Sequence, residues 1–152
     1  MLSPMVLMAL AAIGLLAFAS VRRIPEGQVY TLRRVGGHTR VVRSGMHFML
    51  PLIERVAHKI SLTGANVPVE GLVAAEQRYR GIVYFQVLDP ERADRVIDAV
   101  DDLLQDRTRS LFADAALPES ADSRRLWLKQ SLNTDVRERG LLVTRVDLHA
   151  VN

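Results

Sequence analysis

Residues 1–21, MLSPMVLMALAAIGLLAFASV, carry no charged side chain, and Arg22 and Arg23 follow them at once. A helix rises about 1.5 Å per residue, so about 20 such residues cover roughly 30 Å, the thickness of a bilayer's hydrocarbon core. The segment therefore reads as a transmembrane anchor. A cleaved signal peptide is the competing reading, with Ala17-Phe18-Ala19 as a small-x-small site before Ser20. Two features oppose cleavage: no Lys or Arg precedes the apolar run, and a basic pair closes it. Positive charge is retained on the cytoplasmic side, so a single-pass protein with a cytoplasmic body is expected. The alternative is a periplasmic or otherwise extracytoplasmic body. A buried core helix is the third reading, and an uncharged run with no capping signal at the extreme N-terminus suits it poorly.

The remaining charge is unevenly distributed. Residues 22–59 hold eight Lys and Arg against Glu26 and Glu54, a local +6, whereas residues 60–152 hold twelve against fifteen carboxylates, a local −3. The formal net charge of +3 thus conceals a basic segment beside the apolar one. The chain has no cysteine, which excludes a disulfide framework, a thiolate metal site and a cysteine nucleophile. Its length suits one domain with its own core.

Pro25-Glu26-Gly27 punctuates the exit from the apolar segment. Residues 28–35 (QVYTLRRV) alternate as a strand, and Gly36-Gly37 turns them into a second strand at residues 39–42. Residues 45–53 (GMHFMLPLI) are nearly all apolar, but Pro51 excludes a central strand. Residues 57–62 and 82–88 read as further strands, the latter (IVYFQVL) apolar on both faces and so interior. Asp89 and Pro90 then open a helical pattern as N-cap and first helical residue. Val96, Ile97, Val100, Leu103, Leu104, Leu111 and Phe112 predict one stripe on a long helix, which Pro118 and Ser120 end. A second helix is expected over residues 122–139 with Gly140 as its C-cap. The closing LLVTRVDLHAV reads as a half-buried strand, Leu142, Val146, Leu148 and Ala150 facing inward. Strands, two helices and a strand make an α+β domain.

The ordered set of motifs resembles the stomatin/prohibitin/flotillin (SPFH, or band 7) family. The residues that carry the resemblance are Pro25-Glu26-Gly27, Gly36-Gly37, Ser44-Gly45 and Phe48-Met49-Leu50-Pro51. Further on come Tyr84 to Pro90 as a strand ending in Asp-Pro, Thr108-Arg109-Ser110-Leu111 in a helix, and Gly140 to Leu148 as the closing strand. The resemblance implies an SPFH/band 7 domain over residues 22–152, a curved, antiparallel-rich sheet with two or more helices, behind an anchor at residues 1–21. Three departures stand out. VAAEQ at residues 73–77 replaces a Lys-Asp-Gly-type turn, Phe112-Ala113 stands where the family has a glycine, and the family's long Ala/Glu/Lys/Arg-rich assembly helix has no counterpart.

No constellation of catalytic residues emerges. His38, His47, His58 and His149 are scattered without a second ligand at metal-binding spacing, and Gly36-Gly37 lies between strands rather than before a helix. Asp98, Asp101 and Asp102 read as a solvated helix face. The basic stretch, with Arg22, Arg23, Arg33, Arg34, Arg40 and Arg43, suits an anionic membrane surface. Nucleic acid is disfavoured because aromatics are not interleaved with these arginines. Met46, Phe48, Met49, Leu50 and Pro51 either pack into the core or dip into the lipid interface beside the anchor.

By resemblance, the expected role is a non-enzymatic membrane scaffold or accessory subunit without a cofactor. It would organise membrane microdomains or regulate a membrane protease or channel, with the lipid bilayer and a longer SPFH-family subunit or membrane protease as partners. Lacking the assembly helix, it is expected to be a weak or partner-dependent oligomer. A monomeric membrane-tethered adaptor is the alternative, and a tethered hydrolase finds no supporting motif.

Overall fold

A computed structural model describes residues 3–50, 52–74, 76–113 and 117–151 as an α+β chain of antiparallel sheets and several helices. The chain splits into two compact units, Met1–Lys59 and Ile60–Asn152.

The first unit opens with helix α1 (Pro4–Ser20), with Pro4 in its first turn, where a missing amide proton costs nothing. Strand β1 (Val21–Ile24) follows without a linker and pairs antiparallel with β4 (Gly45–Phe48). Between them lie β2 (Gln28–Arg34) and β3 (Thr39–Val42), a hairpin whose turn places Gly36 and Gly37 at φ +113° and +89°. Side chains at both positions would be strained, so the glycine pair is what the turn requires. Strand β5 (Glu54–Ser61) adds to the free side of β2, giving the order β3-β2-β5. Ile24, Leu32, Val42 and Met49 form a small core with Tyr30 packed against it.

The membrane-spanning expectation for residues 1–21 is corrected here. No helix among the described residues is long and apolar enough to cross a membrane. The 17 residues of α1 extend over about 25 Å, short of the roughly 30 Å required. The apolar composition runs on through Val21, but the helix cannot, because the backbone from Val21 onward is committed to the ladder with β4.

In the second unit, β6 (Ala65–Ala74), β7 (Gln77–Val87) and β8 (Leu141–Val151) form an antiparallel sheet in the order β6-β7-β8. The strand expected to be interior is the central one. Val67, Val69, Leu72, Val83, Phe85, Val87, Leu141, Val143, Val146 and Leu148 belong to one buried cluster. Helix α3 (Val100–Phe112) contributes Val100, Leu104 and Phe112, and α4 (Ala121–Val136) contributes Leu128, Leu132 and Val136. The long first helix is interrupted. Asp89 does cap a helix, accepting from the amides of Glu91 and Arg92, but α2 (Pro90–Ala93) lasts one turn and a 3-10 turn (Ile97–Ala99) precedes α3. The inward set of β8 also differs: Leu141 and Val143 are buried before a register shift opposite Tyr84 and Phe85, Val146 and Leu148 after it, and Ala150 is exposed. One irregularity swaps the facing parity, which strict alternation cannot foresee.

Asn133 closes part of the outer edge of β8. Its Nδ2 donates to the Val143 carbonyl at 2.9 Å, and its Oδ1 accepts from the Val143 amide at 2.8 Å. Arg125 donates to the Leu148 carbonyl on the same strand at 3.3 Å. On the other side, Arg109 donates to the Glu70 carbonyl in the bulge of β6. These side chains occupy backbone groups that an incoming strand would need.

Two stability predictions follow from this packing. Gly140 has φ +78°, and a Cβ there would press into the Asp89 carbonyl and the Arg92 side chain. G140A is expected to cost about 2–4 kcal/mol, from the left-handed backbone and the clash, measured by urea denaturation. Conversely, Thr31 is fully buried with its hydroxyl unpartnered among the described residues. T31V keeps the shape and removes the orphaned group, so it should raise stability by about 1 kcal/mol in the same assay.

Candidate membrane-facing surface

Every residue of α1 from Pro4 to Ala19 is exposed, and only Ser20 is buried. A helix apolar on all sides has no polar face to turn toward water, a pattern found inside large cores or in lipid. Its last turn is well capped. Ser20 Oγ donates to the Leu16 carbonyl at 2.6 Å, the Val21 amide to Phe18, and the Met49 amide to Ser20 at 2.7 Å.

The apolar surface continues into the two-stranded sheet. Val21 sits opposite Phe48 and Arg23 opposite Met46, so these four share one face, while Arg22, Ile24, Gly45 and His47 share the other. On the first face Val21 is 46%, Met46 75% and Phe48 58% exposed. On the second, Ile24 is buried. Pairing thus sorts the side chains into an inner face held by the core and an outer one that is apolar, with a single guanidinium.

Of the residues expected at an interface, the ladder brings Arg23, Met46 and Phe48 onto one face and leaves Arg22 on the other. Met49, however, is 6% exposed and belongs to the core. It is the next residue after β4, and the bond from its amide to Ser20 turns the chain inward. Leu50 is exposed at 37%, its carbonyl accepting from the amides of Ile53 and Glu54. Pro51 lies outside the described residues. Arg33 and Arg34 are exposed at the far end of β2, toward the hairpin turn and on a different sheet from β1 and β4. Over residues 46–50 the core reading holds for Met49, while Met46, Phe48 and Leu50 are exposed.

Sequence reasoning missed Val21 as a member of the exposed face, although a two-residue period through VRRI would have revealed it. It also missed a cleft of about 400 Å³ lined by Ala19, Arg22, Arg23, Tyr30, Met49, Glu54, Val56 and Lys59. Those residues are too far apart in sequence to form a motif. The Lys59 ammonium stands 5.5 Å from the centre of the Tyr30 ring.

Elsewhere the geometry offers little chemistry. Among the described residues no group of three or more His, Asp or Glu converges as a metal site. His38 lies between β2 and β3, His47, His58 and His149 lie on β4, β5 and β8, and His47 Nε2 is 2.8 Å from the Arg43 carbonyl. On β8, Arg145 donates to Asp147, which holds that carboxyl below the usual carboxylate range and raises the guanidinium. The same guanidinium lies 4.8 Å from the centre of the Tyr84 ring. This is an exposed polar cluster without a cleft around it.

No family model matches the chain. A stomatin-like protein of Caenorhabditis elegans is 26% identical over 96 residues, covering 57% of this chain and 30% of that protein. The mitochondrial stomatin-like protein 2 of Homo sapiens is 24% identical over 135 residues, 83% of this chain and 36% of the other. An uncharacterized protein of Mycobacterium bovis is 26% identical over 145 residues, 88% and 38% respectively. The chain spans about a third of the length of these curated relatives. It has stomatin-like proteins among its distant homologues, at 24–26% identity.

Proposed function

We propose that this chain is a non-enzymatic, membrane-associated scaffold or accessory subunit of the SPFH type. It is held at the bilayer by α1 and by the outer face of the β1–β4 sheet. One observation carries the reading: a 17-residue helix, apolar and exposed on every side, runs directly into an exposed sheet face of Val21, Met46 and Phe48. A continuous apolar surface of this kind is not left in water. In this reading α1 lies within the apolar phase, Met46 and Phe48 rest in the interface, and Arg22 and Arg23 meet the headgroups. Met49 anchors the inner side and does not touch lipid.

Its partners are the bilayer and a longer SPFH-family subunit or a membrane protease. The side chains of Asn133, Arg125 and Arg109 on the sheet edges support dependence on such a partner, since they hinder strand-to-strand addition between copies. Confinement to one membrane plane raises the effective concentration and offsets weak edge contacts.

The natural chain has no cysteine, so single cysteines bearing an environment-sensitive dye report their own positions unambiguously. Dyes at M46C, F48C and L10C are expected to shift to the blue with phosphatidylcholine vesicles, whereas one at R137C keeps its aqueous spectrum. Aqueous spectra at positions 46 and 48 would end the sheet-face claim, and an aqueous spectrum at position 10 the whole reading. M46S and F48S should change stability by less than about 0.5 kcal/mol. M49A should cost about 2–4 kcal/mol by chemical denaturation, the value for a buried large apolar side chain.

A further inference from the structure

We propose that the cleft at the end of α1 is a binding site for the phosphate headgroup of an anionic glycerophospholipid. The idea rests on the membrane reading above and adds to it a specific, saturable ligand. The lining includes Arg22, Arg23 and Lys59 with one carboxylate, Glu54, and the Lys59 ammonium stands over the Tyr30 ring. The volume of about 400 Å³ is in the range of small-molecule sites.

The two arginines are not taken up in capping the helix. Basic side chains at a helix C-terminus often serve its free carbonyls. Here Leu16, Phe18 and Ser20 already have donors in Ser20 Oγ, Val21 and Met49. Neither Arg22 nor Arg23 forms an ion pair with a described residue, and both are exposed. Arginine and lysine side chains bordering a recess present forked and point-like donors that match phosphate oxygens.

The remaining wall selects the source of the phosphate. Ala19, Met49 and Val56 give the cleft an apolar side, and Ala19 belongs to the helix assigned to the apolar phase. A headgroup entering from the membrane would set its phosphate among the cations and its glycerol and first acyl carbons along that wall. A free phosphate ion has nothing to place there. The occupant is therefore lipid, and its charge must be negative overall, since a zwitterionic headgroup brings its own cation to an already cationic site.

The test uses the full chain in a neutral detergent, where α1 is satisfied and the cleft is read by itself. Calorimetric titration with short-chain dihexanoyl phosphatidylglycerol should saturate at one site per chain. Dihexanoyl phosphatidylcholine should bind about tenfold more weakly, and inorganic phosphate more weakly still. R22Q/K59Q should weaken the phosphatidylglycerol site about twenty-fivefold, each cation counting about fivefold. R33Q/R34Q removes the same charge outside the cleft and should weaken it no more than about threefold by screened, long-range attraction. Equal losses for the two double variants, absence of saturation, or inorganic phosphate binding as tightly as the lipid would each overturn the proposal. Failure of the membrane reading shows separately, as aqueous dye spectra at positions 10, 46 and 48.

Discussion

The carbonyl of Ser20 accepts from the amide of Met49 at 2.7 Å, and one residue later Val21 pairs with Phe48. This junction stops the apolar helix, starts the sheet and fixes which side chains of two distant segments share a face. A helix ending in a flexible linker would leave Arg22, Arg23, Met46 and Phe48 with no common geometry. A ladder of four residue pairs imposes one. Because sheet side chains alternate with a period of two, committing Ile24 to the core commits Val21 and Arg23 to the opposite face. The same logic places Met46 and Phe48 outward, while Met49, just beyond the strand, turns in.

The two units solve the problem of burial differently. The first gathers Ile24, Leu32, Val42 and Met49 into a small cluster with Tyr30 beside them, and buries Val29 and Thr31 as well. A core of that size gives each side chain a large share of the unit's stability. The second surrounds the central strand β7 with paired backbones and covers the sheet with the apolar stripes of α3 and α4. Its edges are managed by side chains rather than by closure. The Asn133 amide imitates a peptide group and satisfies both the donor and the acceptor of Val143, which an apolar residue could not do.

The contrast also divides the candidate features between the two units. The larger unit carries the Arg145–Asp147 pair, and among its described residues no His, Asp and Glu converge as a metal site. The small unit carries the apolar helix, the exposed sheet face and the cationic cleft. The distant stomatin-like homologues at 24–26% identity are consistent with an architecture of this kind.

Much of the chain was legible from local pattern. The apolar run, the Gly36-Gly37 hairpin, the Asp89-Pro90 helix start, the Gly140 cap and the interior character of residues 82–88 are all short-range signals. They depend on backbone preference or on a few neighbouring side chains. What eluded such reading depends on contacts between residues far apart. Hydropathy cannot tell that Val21 leaves the helix, because the cause is Phe48. Strict alternation misassigns Leu142, because the cause is a register shift against β7. The long helix expected after Asp89 breaks before Val100, and no proline or glycine in the sequence marks the place. The cleft assembles Arg22, Tyr30 and Lys59 from three different strands. Composition and periodicity determined that an apolar segment would precede a basic α+β body, since those properties reside in single residues and their near neighbours. Only the pairing of β1 with β4 decided where the apolar surface ends and which residues flank it, because hydrogen-bond register is a property of two segments together.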